Sequence, residues 1–122
     1  MPLAVKSPLT DKYYVGVFAD IGAAGSIFIP VAGRGKIKAI YVTPHVTCAG
    51  TATLVTAKIG GVALANGVVT LGATQAAGTV ASAKPSGKTT IDAGQALELA
   101  TDGGTSTTSP ATVTVVVRET GA

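Results

Sequence analysis

The run Ala111–Glu119, ATVTVVVRE, sets the tightest limit on what this chain can fold into. Val113, Val115 and Val117 alternate with Thr112, Thr114 and Val116, and a period of two is the repeat of a β-strand with unlike faces. KYYVGVF shows the same rhythm, with Tyr13, Val15 and Val17 on one face and Tyr14, Gly16 and Phe18 on the other. In SIFIPV, Ile27, Ile29 and Val31 alternate with Phe28, and Pro30 marks an edge or a strand end. No segment repeats apolar residues at helical spacing, and β-branched residues fill the apolar positions.

Turn signals cut the remainder into short strands. Gly60-Gly61 and Asn66-Gly67 both read as two-residue turns, Asn-Gly being the stronger hairpin mark. Asp92-Ala93-Gly94 reads as another, followed by a strand with Leu97 and Leu99 inward and Glu98 outward. TSTTSP reads as a polar loop closed by Pro110. The expectation is an all-β fold, a single-domain β-sandwich of about eight short antiparallel strands over 12–122. Residues 1–11 are expected to form an extended N-terminal arm outside it.

Charged residues are only 12% of the chain and there is no Trp, while Ala, Gly, Thr and Val supply the bulk. Such a chain cannot cover its surface with charge, so part of that neutral surface is expected to meet protein, its own copies included. Cys48 is the only cysteine, which excludes an intrachain disulfide and predicts a small buried hydrophobe. The start, MPLAVKSPLTDK, lacks the apolar core of a signal peptide, and no apolar run approaches the roughly 18 residues of a membrane span. The expectation is synthesis in the cytoplasm and no membrane partner.

The chemistry-bearing residues are few. His45 is the only histidine, follows Pro44 in an expected strand, and has no motif tying it to a nucleophile or an acid. One His and one Cys leave no metal-ligand set, so neither metal nor cofactor is expected. Asp92 and Asp102 sit in turns, where the side chain caps its own backbone. The cationic run GRGKIK leads into a strand and lacks the Gly-Lys-Ser/Thr element of a phosphate loop. Lys36 and Lys38 share a strand face, and with Arg34 they form the best candidate for a polar contact. A net charge of +3 is weak for a nucleic-acid binder, and Lys12, Lys58, Lys84 and Lys88 would help only if the fold gathered them.

KSPLTDKYYVGVF, GSIFIPVAGRGKIKAIYV and TIDAGQALELATDGGTSTTSPATVTVVVRE together resemble the decoration, or cement, proteins of tailed-phage capsids. The resemblance covers about two-thirds of the chain and lies in strand layout, with no active-site motif. It implies a jelly-roll-like sandwich, a homotrimer in that family's manner, seated on the virion exterior and bound to the major capsid protein. It implies no enzyme activity. Arg34, Lys36 and Lys38 would then face an acidic capsid surface. The alternative is a host-receptor or glycan-binding β-module of a virion fibre or tail; its mark, aromatic side chains on exposed loops, is missing, since the tyrosines and phenylalanines fall in expected strands.

Overall fold

The alternation in the closing run decides the architecture. Val113, Val115 and Val117 are fully buried, Thr112 and Thr114 half-buried on the opposite face. A strand carrying so apolar an inner face requires a second sheet to cover it. The computed structural model describes residues 11–119 and supplies that sheet. Nine strands run β1 (Asp11–Phe18), β2 (Gly25–Pro30), β3 (Gly35–Pro44), β4 (Thr53–Ile59), β5 (Val62–Leu71), β6 (Ala81–Ala83), β7 (Thr90–Ile91), β8 (Ala96–Thr101) and β9 (Ala111–Glu119).

They form two antiparallel sheets. One has the order β1-β9-β3-β6, with β7 also on β3, and the other β2-β8-β4-β5. β6 pairs with Ile40–Val42 and β7 with Gly35 and Lys36, so the two short strands share one edge position. Counted so, the described residues fill the eight positions expected, with the first and last strands adjacent and successive strands crossing between the sheets except at the β4–β5 hairpin. That is the order of a jelly roll.

The core lies between the sheets. Ile37, Ile40, Val42, Val113, Val115 and Val117 come from one side, and Val55, Val69, Leu71, Leu97 and Leu99 from the other. Among the described residues Phe18 is the only buried aromatic; the space is filled with branched aliphatics that lose little rotamer freedom in strands. Cys48 is buried in this core as a small hydrophobe.

The structure corrects three readings. Gly60-Gly61 makes the β4–β5 turn, both residues having positive φ. Asn66-Gly67 does not make a turn: it lies inside β5. There Thr56 pairs with Val68 and Lys58 with Ala63, leaving Leu64–Gly67 bulged opposite Ala57. Asn66 takes the left-handed φ of 56° that such a bulge needs. The Asn66 amide donates to Ser86 Oγ at 2.9 Å, and Ala65 bridges Ser86, so the bulge ties β5 to the segment ahead of β7.

TSTTSP is the polar loop expected, and part of it is buried. Thr105 and Ser109 are buried and clamp one end of the sandwich. The Thr105 backbone N–H donates to Thr53 Oγ1 at 2.8 Å, and Ser109 Oγ donates to the Val46 carbonyl at 2.9 Å. Thr101 Oγ1 donates to the Ile21 carbonyl at 2.8 Å, so these buried hydroxyls replace the water they lose. Second, Asp11 belongs to β1, not to the arm; residues 1–10 lie outside the described residues. Third, His45 stands just past the end of β3, not within a strand.

Candidate functional site: the outer face of β1, β9 and β3

β1, β9 and β3 are adjacent, and their register fixes which residues face away from the core. Tyr13 pairs with Val116, Val15 with Thr114 and Val17 with Thr112. Across β9, Val116 faces Ala39, Thr114 faces Tyr41 and Thr112 faces Thr43. These residues form one outer surface. Tyr13, Val15 and Val17 remain 67, 62 and 56% exposed, and Tyr41 is also exposed. Val116 is 9% exposed, screened by its neighbours on the same face. The period-two pattern grouped Tyr13 with Val15 and Val17, but not which group faced solvent. The structure turns the larger apolar group outward, because Phe18 and Tyr14 are the residues that reach the core.

Charge collects at one end of this face. Lys36 pairs with Arg118 in register, and Arg118 with Asp11. Lys38 is the extra residue of a β-bulge between Ile37 and Ala39, without a partner on β9. The bulge lets Lys36 and Lys38 both face outward while Ile40 and Val42 return to the core. Both lysines are exposed, and Lys38 lies close enough to Asp11 to favour its ionised form.

Arg118 donates from Nε to Asp11 Oδ1 at 2.9 Å and from a terminal nitrogen to Oδ2 at 3.3 Å. This two-pronged hydrogen bond is the main reason the Asp11 carboxyl is held below the usual carboxylate range, and it raises the guanidinium in turn.

The three candidate cations are thus not equivalent. Lys36 and Lys38 stand together on the outer face. Arg34, in the β2–β3 connection, instead pairs with Asp92 at 3.2 Å. Asp92 does not cap its own turn; the Gln95 side chain does so, accepting from the Asp92 N–H at 2.8 Å. Asp102 does cap its own turn, accepting from Gly104 N–H at 3.0 Å. Lys58 lies on the other sheet, opposite Glu98, so it is not gathered with Lys36 and Lys38.

At the far end of the face, His45 shares a 2.7 Å hydrogen bond between its Nε2 and Thr112 Oγ1. Its backbone N–H donates to the Pro110 carbonyl at 2.8 Å, so the residue joins the end of β3 to the start of β9. An open depression of about 490 Å³ lies elsewhere, beside the β4–β5 turn, lined by Ile59, Val62, Leu64, Lys88 and Thr90. Among the described residues no three of His, Cys, Asp and Glu are grouped to hold a metal ion, and no helix is long and apolar enough to cross a membrane.

No protein-family model, curated protein or solved structure matches this chain.

Proposed function

We propose that this chain is a structural virion protein that decorates a bacteriophage capsid, binding the outer surface of the major capsid protein lattice and copies of itself. The observation that supports this most is the outer face of β1, β9 and β3. It combines exposed Tyr13, Val15, Val17 and Tyr41 with a cationic end at Lys36 and Lys38. An apolar centre with a charged margin is the make-up of a protein-docking surface. The likeness in strand layout to phage cement proteins supplies the particular partner. Such a role asks for a rigid sandwich and many weak contacts, with no cofactor and no reactive group. The protein would be made in the host cytoplasm and reside on the virion exterior. A nucleic-acid role is disfavoured by the ion pairing of Arg34 and Arg118 and by the separation of Lys58 from the lysine pair.

Electron microscopy of empty shells of the encoding phage, incubated with the chain, tests this reading. Added density at regular lattice positions is the expected result; bare shells would overturn it. The exposure of Tyr13 and Tyr41 on one face also favours a second reading, a receptor- or glycan-binding module, because aromatic rings on a sheet face can stack on sugars. Binding on a glycan array, together with bare shells, would put that reading first.

A further inference from the structure

Among the described residues the two sheets have four edges, and three of them are blunted. β2 has six residues and ends in Pro30. β6 and β7 have three and two residues. β5 carries the Leu64–Gly67 bulge and is bridged to Ser86 through Ala65. Short length, proline and bulges are the devices by which β-proteins keep edges from pairing. β1 has none of them. Its eight residues run in unbroken register with β9, no proline interrupts them, and among the described residues β1 pairs with β9 alone.

We propose that β1 pairs antiparallel with β1 of a second copy, about a two-fold axis at Val15. An edge pairing with its own copy is isologous, so it closes as a dimer. A head-to-tail ring, including the three-fold one that the resemblance implies, would need β1 to join one of the blunted edges.

The residue pattern selects the axis. Centred on Val15, the outer side sets Val15 against Val15 of the second copy and Tyr13 against Val17 in both directions, so the three exposed apolar residues cover one another. On the inner side Tyr14 falls beside Gly16, over which Ile27 and Ile29 of the same copy already pack, so the ring keeps its place against its own core. Asp11 falls beyond Phe18, at Ala19 of the second copy, and keeps its pairing with Arg118. A centre at Tyr14 would instead set the Asp11 carboxylate against Val17. The result is a continuous sheet β3-β9-β1-β1-β9-β3, whose outer face is twice that of one copy and carries a Lys36–Lys38 pair at each end.

The test needs no capsid, so its outcome is independent of the shell-binding reading. The full wild-type chain of 11.9 kDa is weighed by light scattering, and cysteines are placed on β1 in a Cys48→Ala background. The expected mass is that of a dimer. Val15→Cys should oxidise to a covalent dimer, since directly opposed residues lie within disulfide reach. Tyr13→Cys should yield roughly tenfold less, because the two copies of residue 13 lie four residues apart along the ladder, about 13 Å. Mixing Tyr13→Cys with Val17→Cys should restore the yield. A monomeric wild-type mass overturns the proposal, whether β1 is covered by the chain's own first ten residues or left bare. Equal cross-linking at positions 13 and 15, or none at 15, overturns it as well.

Discussion

Val115 and Val116 are neighbours in sequence and opposites in environment, so they test the register that builds the docking face. Val115 is fully buried between Tyr14 and Ile40, and Val116 sits outward between Tyr13 and Ala39. Valine to alanine removes two methyl-sized groups, about 1.6 kcal/mol at roughly 0.8 kcal/mol each when taken from a closed core. At position 115 the two sheets cannot close over the void, so a cavity contribution raises the loss to about 2–3 kcal/mol. At position 116 the space opens to solvent and the neighbouring Tyr13 ring can lean in, so the cost should stay under about 1 kcal/mol. With a urea slope of about 1.5 kcal/mol/M for a chain of this size, Val115→Ala should lower the unfolding midpoint by roughly 1.3–2 M. Val116→Ala should lower it by less than about 0.7 M. Urea titrations followed by circular dichroism, at one fixed protein concentration so that self-association weighs equally, give both numbers. Equal losses, or a larger loss at 116, would mean that β9 presents the other face to the core, and the surface described here would not exist.

Other predictions concern single contacts. The Asp11 carboxyl is held below its unfolded range, so its contribution is present above that range and fades as pH falls through the folded value. The wild type should therefore lose stability relative to Asp11→Asn as pH drops below about 4, the range of a free aspartate, read as urea midpoints against pH; parallel profiles would refute the pairing with Arg118. Asn66 holds a left-handed φ, so Asn66→Gly should fold within a few tenths of a kcal/mol of wild type while Asn66→Val loses more than about 1 kcal/mol. A Cβ at Gly104 would press into the Ala52 carbonyl, so Gly104→Ala should cost about 2 kcal/mol or more in thermal or urea unfolding.

The parts of the fold legible in the sequence are those set by local alternation. Val113, Val115 and Val117 could be grouped on one strand face because they alternate with Thr112, Thr114 and Val116. Asn66-Gly67 misled because the same left-handed backbone serves a two-residue turn and a bulge. The choice between them was made at long range, by Ala57 across the bulge and Ser86 beyond it. The cationic cluster was legible only as a cluster. Its division depends on Asp92, which the jelly-roll crossing brings beside Arg34, and on Asp11, which reaches Arg118 across 107 residues of chain. Nor could alternation say which face of β1 looks outward, since both carry a tyrosine and an apolar partner.

The central claim is that this face docks on a capsid surface through Lys36 and Lys38 and not through Arg34. Co-sedimentation with empty shells of the encoding phage tests it most directly, using wild type, Arg34→Ala and the Lys36→Glu/Lys38→Glu double variant, each first shown to be folded by circular dichroism. Wild type and Arg34→Ala are expected to pellet with the shells at similar midpoints, while the double variant stays in the supernatant. A wild-type chain that remains in the supernatant, or a double variant that pellets as well as wild type, would contradict it.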